Sequence, residues 1–596
     1  MKTIYSVGID LGTTNSVVAF APLSDAKAAV GLLDVPQLTS AGTVENRPML
    51  PSFLYLAPEG ERGGCDLPWA AGRDFAVGEM ARRQAAAVPT RTVAAAKSWL
   101  CNSRVDRARP ILPWNAPEEV AKVSPVEATR RYLEHLAAAW NAAFPDAPIG
   151  EQRVTLTVPA SFDASARDLT REAARLAGLP DDLVLLEEPQ AALYAWLAKV
   201  GEGWRRRLKL GDVLLVCDVG GGTTDFTLIR VEETGGDLQL ARVAVGNHIL
   251  VGGDNMDLAL AHAAREAFKE KGVEVDAWQS VSLWHACRLA KEALLADGGP
   301  ETHPVTVLGR GSRVVGGTVS VDLERAKALE TVLDGFLPIC ELGAAPAKRR
   351  ASGFRELGLP FEADAAITRH LSQFLTQHAE AGEAAARPTH VVYNGGVFKA
   401  GALRERLAET FRAWFGADLA PVPLEGGMDL DFAVARGAAY YGRAKQTGGI
   451  RIRGGTARSY YVGIETSGPA IPGAERPLRA LCVVPHGMEE GTSAEVPGEE
   501  IGLVVGEPAH FRFFGSSVRK TDRPGDVVET WAEGEIEETD SMETALPGSE
   551  EGADGYVPVR FESRITELGV LELWCVGTRK DERWKLEFGV RDDARE

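Results

Sequence analysis

Short apolar runs alternate with longer amphipathic stretches over residues 1–445. Residues 6–9 and 213–216 have the continuous apolar character of buried strands, whereas residues 164–176 and 251–267 have the spacing of helices. This alternation is typical of a mixed α/β domain. The pattern changes at residues 446–458, which are rich in Gly, Thr and Arg and predict a linker.

Strand-like runs dominate residues 459–596. Apolar and aromatic residues cluster at 460–464, 480–484, 510–514, 570–575 and 584–588, and turns rich in Gly, Pro and acidic residues separate them. This spacing predicts a β-sandwich-like domain. No long amphipathic helix follows it, so we expect no helical lid.

One motif occurs twice in the α/β region. A strand that ends in Asp10 runs into Gly12, Thr13, Thr14 and Asn15, and a second strand follows. The same order recurs at Asp218, with Gly220, Gly221, Gly222 and Thr223 in the turn and Asp225 after it. The repeat predicts two lobes that each carry one hairpin.

The composition of both turns suits the binding of phosphate groups. Glycines let the backbone approach a polyphosphate, and exposed N–H groups and hydroxyls donate hydrogen bonds to its oxygens. A hydrated Mg²⁺ needs few carboxylates, and Asp10, Asp218 and Asp225 lie at the hairpin edges. Each turn alone is equally consistent with an ordinary tight turn, and the second copy favours the phosphate site.

Two further motifs are compatible with a nucleotide site and also with ordinary structure. Gly395 and Gly396 follow the apolar strand 389–393, where backbone could contact a nucleoside, but this pattern is common in α/β sheets. Glu188, in Glu187-Glu188-Pro189, could orient a water or face an ion, but helix N-termini also favour Glu and Pro.

Composition narrows the classes of partner and location. The formal net charge of -19 argues against a surface for nucleic acid or anionic lipid. The seven cysteines are scattered without a C-x-x-C pair, which is typical of reduced thiols in a cytoplasm. No apolar run has the length of a signal peptide or membrane helix. We therefore expect a cytoplasmic protein with neither a nucleic acid nor a membrane as partner.

Taken in order, six motifs resemble the heat shock protein 70 (DnaK-type) family. They are Gly8-Ile-Asp-Leu-Gly-Thr-Thr-Asn-Ser16, Val158-Pro-Ala-Ser-Phe-Asp163, Leu186-Glu-Glu-Pro-Gln-Ala-Ala192, Asp218-Val-Gly-Gly-Gly-Thr-Thr-Asp225, Val251-Gly-Gly-Asp254 and Asp431-Phe-Ala-Val-Ala-Arg-Gly-Ala-Ala439. The resemblance implies an α/β actin-like ATPase domain with ribonuclease H-like duplicated lobes, followed by a mainly β domain.

The resemblance also implies roles for individual residues. Thr13, Thr14 and Asn15 would contact phosphates, and Asp10 and Asp218 would hold hydrated Mg²⁺. Lys97 matches the family's catalytic lysine, although the sequence alone favours an exposed lysine on a helix. Glu188, Thr223 and Asp225 match groups that position water and the metal shell, and Pro159 and Arg167 match the pair that senses ATP across the lobes. The nucleotide cleft would include Gly252, Gly253, Gly395, Gly396 and Asp431.

The chain departs from the family at the adenine side and at the linker. Lys291 is kept, but Arg288 and Leu295 stand where the family has a glutamate and a serine. Two interpretations of Arg288 remain open, namely stacking on the base and pairing with a neighbouring carboxylate. The segment Ile450-Arg-Ile-Arg-Gly-Gly455 replaces the family's apolar linker with its terminal aspartates, which puts the usual coupling in doubt.

The leading functional hypothesis is an ATP-dependent chaperone that binds and hydrolyses ATP, with ATP/ADP, Mg²⁺ and a candidate K⁺ as cofactors. Its partners would be an unfolded or extended polypeptide or a dedicated protein, with a co-chaperone and a nucleotide exchange factor as candidates. The alternatives are a small-molecule kinase of the actin-like superfamily and a nucleotide-gated scaffold.

Overall fold

The computed structural model describes most of the chain. The described residues are 3–102, 105–114, 116–234, 237–247, 249–308, 318–347, 359, 361–380, 382–424, 429–447, 452–453, 455–456, 458–465, 478–489, 492–506, 508–532, 534–539, 542–545, 556–565, 571–579 and 582–586.

The first lobe, lobe I, is built on a mixed six-stranded sheet. Its first hairpin joins Tyr5–Leu11 to the antiparallel strand Asn15–Pro22, and Tyr5–Leu11 also pairs in parallel with Arg153–Val158. The sheet order is Val184–Glu187, Arg153–Val158, Tyr5–Leu11, Asn15–Pro22 and Gly31–Leu32, with Leu50–Pro51 beside Asn15–Pro22. Smaller sheets are formed by Val35–Ser40 with Thr43–Arg47, and by Phe75–Val77, Leu54–Leu56 and Thr92–Val93.

The second lobe, lobe II, repeats this arrangement. Its second hairpin joins Val213–Val219 to the antiparallel strand Thr224–Thr234, and Val213–Val219 pairs in parallel with His390–Asn394. The six-stranded sheet has the order Val422–Pro423, His390–Asn394, Val213–Val219, Thr224–Thr234, Asp237–Val245 and Ile452–Arg453. The antiparallel pair Thr302–Leu308 and Thr318–Glu324 lies apart from it.

Helices cover both sheets, and several begin at side-chain caps. Ser124, Asp163 and Asp276 each accept a hydrogen bond from the backbone N–H three residues later. The α-helices are Glu79–Ala87, Ala96–Leu100, Pro125–Ala143, Ala164–Leu176, Glu188–Val200, Trp204–Arg207, Gly253–Glu270, Ala277–Leu295, Arg325–Phe336, Ile367–Gln377, Gly401–Phe415 and Ala433–Thr447. Short 3-10 helices occur at Glu59–Gly64, Pro89–Arg91, Ile149–Glu151, Gly201–Gly203 and Gly396–Lys399.

A glycine contact joins two central helices. A Cβ atom on Gly437, in helix Ala433–Thr447, would lie 1.7 Å from the backbone oxygen of Ala191, in helix Glu188–Val200. The helix Ala433–Thr447 also contacts the first hairpin, where a Cβ on Gly8 would lie 2.3 Å from Ala435 O. These glycines therefore allow backbone to approach backbone at the junction behind the first hairpin.

We expect Gly437→Ala to lower the free energy of unfolding by about 3 kcal/mol or more, because the methyl group must push the two helices apart. Gly335→Ala is the matched control in helix Arg325–Phe336, since a Cβ at Gly335 would meet no atom within 4 Å. The control should be neutral or slightly stabilising, because alanine favours helix over glycine. Urea denaturation measures both, and equal effects of the two substitutions would contradict the close-approach argument.

The C-terminal region consists of strands. One five-stranded sheet has the order Val527–Val528, Leu478–Val484, Ser459–Glu465, Phe513–Ser516 and Glu537–Glu538. A second five-stranded sheet contains Ser493–Glu495, Ile501–Val504, Tyr556–Ile565, Leu571–Gly577 and Arg583–Leu586, and Pro508–Phe511 pairs with Met542–Ala545. Buried residues of both five-stranded sheets, including Phe513 and Leu573, share one hydrophobic core. The α/β class with a mainly β region after it is confirmed.

The described part of the predicted linker is attached to lobe II. The helix before it continues to Thr447, and Ile452–Arg453 forms a parallel strand beside Asp237–Val245. The Ile452 N–H donates to the Tyr194 hydroxyl at 2.8 Å, and the Ile452 side chain is buried. Periodicity alone missed this strand because only two residues form it.

The helices of the described residues differ from membrane-spanning helices in length or hydrophobicity. None of them is both long enough and apolar enough to cross a bilayer.

Candidate active site

A cleft of about 500 Å³ separates the two lobes, and both hairpins line it. Most residues proposed from the sequence meet there. They are Asp10, Gly12, Thr13, Thr14, Asn15, Lys97, Glu188, Asp218, Gly220, Gly221, Thr223, Gly253, Arg288, Lys291, Gly395, Gly396 and Asp431. Gly222, Asp225, Gly252, Pro159 and Arg167 lie outside this lining.

The two hairpin turns face each other closely. A Cβ atom on Gly221 would lie 2.1 Å from the Thr14 hydroxyl oxygen. Within the described chain, the N–H groups at positions 12–14 and 221–223 donate to no backbone oxygen. Unpaired amide groups that converge in a turn form an anion-binding concavity. The backbone of the cleft therefore fits a polyphosphate.

Gly222 lies in the turn of the second hairpin and faces lobe I, whereas Gly252 packs against the backbone of that turn. A Cβ on Gly222 would lie 2.6 Å from the Ser98 hydroxyl oxygen, and one on Gly252 would lie 2.6 Å from Gly221 O. The Gly253 N–H donates to Gly220 O at 3.0 Å, where helix Gly253–Glu270 begins. Substitution of these glycines would displace the hairpin.

Lys97 is the central cation of the cleft. Its ammonium group forms an ion pair with Glu188, and the Lys97 side chain is only 9% exposed. Burial acts to lower the pKa of Lys97, but Glu188 and Asp10 raise it overall, so the group stays charged. The interpretation of Lys97 as an exposed helix lysine is therefore wrong.

Asp10 and Asp218 both lie near this ion pair, since Lys97 and Glu188 act on the pKa of each. Burial, with repulsion from Glu188, raises the pKa of Asp10 to about 7. The same two causes raise the pKa of Asp218 well above its usual value, although the Asn394 amide donates to Asp218 at 2.8 Å. Asp10, Asp218 and Glu188 thus crowd three carboxylates around the single charge of Lys97.

This surplus of carboxylates fits a divalent cation. Among the described residues, no group of three or more His, Cys, Asp or Glu side chains is arranged to coordinate a metal directly. Mg²⁺ commonly keeps several waters and is held by one or two carboxylates together with substrate phosphates. A hydrated ion between Asp10 and Asp218 would match that preference.

Asp225 and Thr223 belong to the end of the second hairpin. The Ser161 hydroxyl of lobe I donates a short hydrogen bond to Asp225 of lobe II, and Asp225 is 4% exposed. Asp225 also contributes to the raised pKa of Asp218. It therefore links the lobes directly behind the cleft, while Thr223 lines the cleft itself.

Pro159 and Arg167 lie outside the cleft lining, and Arg167 belongs to a network of ion pairs around Glu187. The Arg167 guanidinium donates to Glu187 at 3.0 Å and to Ala160 O at 3.3 Å, and Pro159 O accepts from the Phe162 N–H. Arg242 of lobe II binds the other Glu187 oxygen and also donates to Gly455 O. The sequence motifs missed Arg242 and the role of Glu187, whose only signal was the doubled glutamate before Pro189.

At the other end of the cleft, Arg288 forms ion pairs with Asp254 at 2.5 Å and with Asp257 at 2.9 Å. Of its two interpretations, carboxylate pairing is the one present. Lys291 contacts Asp257 at 2.6 Å and donates to Gly253 O at 2.8 Å. Asp257 was missed, although it lies one helical turn after Asp254 on the same face.

Comparison with known proteins identifies the same family as the motifs. Residues 69–334 match the family model described as Hsp70 protein. The chain is 33% identical over 273 residues to Chaperone protein HscA of Xenorhabdus nematophila, covering 44% of this chain and 38% of that protein. It is 33% identical over 300 residues to Chaperone protein HscA homolog of Bordetella petrii. This match covers 48% of this chain and 41% of that protein.

A third relative, Chaperone protein HscA of Pectobacterium carotovorum subsp. carotovorum, is 32% identical over 317 residues, covering 51% of this chain and 44% of the relative. The matches thus span less than half of the length of these curated relatives. The duplicated hairpins, the cleft and these matches agree, and the chain is similar to the Hsp70 family in this part of its sequence.

Proposed function

We propose that this protein is an ATP-dependent chaperone that binds Mg²⁺ and ATP between its lobes and hydrolyses the nucleotide. The observation that carries the proposal is the pair of opposed hairpins beside the buried Lys97–Glu188 ion pair. The names of the HscA relatives support the chaperone role. The kinase and scaffold alternatives have no comparable support.

Different residues of the cleft are proposed to bind the phosphates, to hold the metal and to stabilise the charge of the transferred group. The turns Gly12 to Asn15 and Gly220 to Gly222 hold the phosphates through N–H groups and hydroxyls. Asp10 and Asp218 hold the hydrated metal, which neutralises phosphate charge when it is bound. Lys97 places a positive charge beside the transferred group, and it is oriented by Glu188. K⁺ is a further candidate ion.

Water must be oriented for hydrolysis, and the hairpin end supplies the polar groups. Thr223 and Glu188 face the cleft, and Asp225 fixes the hairpin through Ser161. In-line attack requires an oriented water and stabilisation of the phosphoryl charge. Gly253, Gly395, Gly396, Arg288, Lys291 and Asp431 form the walls against which the nucleoside lies, and Gly252 packs against the second hairpin behind them.

The proposed ATPase domain is residues 1–445, and the proposed linker is residues 446–458. The β region that follows, residues 459–596, would be the domain that binds a substrate or partner. We propose that this region binds an extended polypeptide or a dedicated partner by strand addition. Pro159, Arg167 and the Glu187 network would carry the nucleotide signal toward it. A co-chaperone and a nucleotide exchange factor complete the proposed cycle.

The proposed location is the cytoplasm, because all seven cysteines are free thiols. Neither nucleic acid nor membrane is proposed as a partner, since the net charge of -19 would repel polyanions.

The direct test compares the wild type with Asp10→Asn. Calorimetry measures nucleotide binding, and phosphate release measures turnover, with and without an unfolded peptide. We expect Asp10→Asn to reduce Mg²⁺-dependent turnover by about 100-fold, because a preorganised charge at the phosphate site is lost. Asp334→Asn is the control, since Asp334 is 64% exposed and distant from the cleft lining. Unchanged hydrolysis in Asp10→Asn would contradict the site.

A further inference from the structure

A small cavity lies in lobe I beside the first hairpin, and about 10 Å³ of it can hold the centre of a water molecule. Gly12 and Lys97 line this cavity and also the nucleotide cleft, so the two spaces share a wall. Tyr132, Thr157 and Thr170 line the cavity as well, and all three side chains are buried. A volume of about 10 to 15 Å³ is enough for one water.

The Tyr132 hydroxyl is the group of this lining that lacks a partner. Tyr132 is 2% exposed, and its hydroxyl has no hydrogen-bond partner among the described residues. Burial raises the pKa of Tyr132, so the hydroxyl keeps its proton and remains a donor. A buried hydroxyl without a partner is unfavourable, and polar groups of this kind commonly bind an ordered water.

Two threonine hydroxyls of the same lining can accept hydrogen bonds. The Thr170 hydroxyl donates its own proton to Ala166 O at 2.7 Å, which leaves its oxygen lone pairs available. The Thr157 hydroxyl lies 3.3 Å from the Asp10 carboxylate and 3.4 Å from Ile9 O, so its proton is likewise directed at other oxygens. One donor and two acceptors match the usual number of partners of a buried water.

We propose that one water molecule occupies this cavity, accepts a hydrogen bond from Tyr132 and donates to Thr157 and Thr170. The water keeps the Thr157 proton directed toward Asp10 and Ile9 O, and it fills the space beside Lys97. Tyr132 is therefore a positioning residue, which acts on Asp10 and Lys97 through the water. The water site stands on the cavity and the hydroxyl, whereas its effect on turnover rests on the proposed function.

A high-resolution crystal structure of the wild type tests the site directly. We expect an ordered water about 2.8 Å from the Tyr132 hydroxyl oxygen, and an empty cavity would overturn the inference. Tyr132→Phe should raise the unfolding equilibrium constant about fivefold, because a hydrogen bond to the water is lost. Tyr556→Phe is the control, since Tyr556 is 62% exposed. Unchanged or increased stability of Tyr132→Phe would show a hydroxyl without a partner and would also overturn the inference.

Thr170→Val separates the water from direct packing, because Thr170 lies outside the lining of the nucleotide cleft. We expect Tyr132→Phe and Thr170→Val each to lower kcat for ATP about fivefold with KM within about twofold, since misplaced groups slow the chemical step more than they weaken binding. Loss of kcat in only one variant, or in neither, would overturn the positioning role. A wild type that hydrolyses no ATP would overturn the proposed function and leave the water site in place.

Discussion

Lys97→Met is expected to reduce ATP turnover by about 10²- to 10³-fold, because the substitution removes the preorganised positive charge beside the phosphoryl group. Lys97 is buried and its partner Glu188 keeps the side chain directed into the cleft. Single-turnover phosphate release measures the chemical step, and Lys327→Met, on an exposed helix position, is the control.

The same substitution should lower the free energy of unfolding by about 3 kcal/mol, because it removes the positive charge that Lys97 places beside the carboxylates of Glu188, Asp10 and Asp218. Lys97→Met/Glu188→Gln removes both partners and should recover most of the stability while turnover stays low. Urea denaturation and turnover are measured on the same samples. Recovery of turnover in the double variant would show that Lys97 acts only by neutralising Glu188.

Arg242→Ala should release the linker strand from lobe II. Arg242 joins Glu187, on the strand that leads to Glu188, to the backbone oxygen of Gly455. Its side chain is 5% exposed, so breaking the pair should lower the free energy of unfolding by about 3 kcal/mol. We expect faster proteolysis within residues 446–458 and a weaker effect of ATP on that rate.

Arg230→Ala is the matched control for the contacts of Arg242 with Glu187 and Gly455. Arg230 lies on the neighbouring strand of the same sheet, but its partner Glu380 is 56% exposed. Exposed ion pairs contribute about 1 kcal/mol or less, so proteolysis should stay close to the wild-type rate. If Arg242→Ala and Arg230→Ala behaved alike, the buried network would have no special role in holding the linker.

The hairpins show what could be predicted directly. Gly12 to Asn15 and Gly220 to Thr223 carry their chemistry in the local backbone, so their residue types alone indicate phosphate binding. The alternation of strands and helices likewise indicated the α/β class, since each period is a property of neighbouring residues. The turns of both hairpins line one cleft, as expected if both bind the same polyphosphate.

Lys97 and Arg288 show where local patterns were insufficient. Lys97 looked like an exposed helix residue, yet its partner Glu188 is 91 positions away. Arg288 had two open interpretations, and pairing with Asp254 and Asp257 depends on how two helices lie against each other. Charge pairing of this kind follows from burial, which a single sequence does not specify.

The sequence by itself thus determined the duplicated hairpins and the β character of the C-terminal region and predicted phosphate binding at the turns, because these depend on turn geometry and strand periodicity. Only the tertiary structure decided that Ile452–Arg453 completes the sheet of lobe II and that Arg242 reaches Gly455, 213 positions away. The physical reason is that strand pairing and buried ion pairs need both partners in place, and folding alone brings such distant residues together.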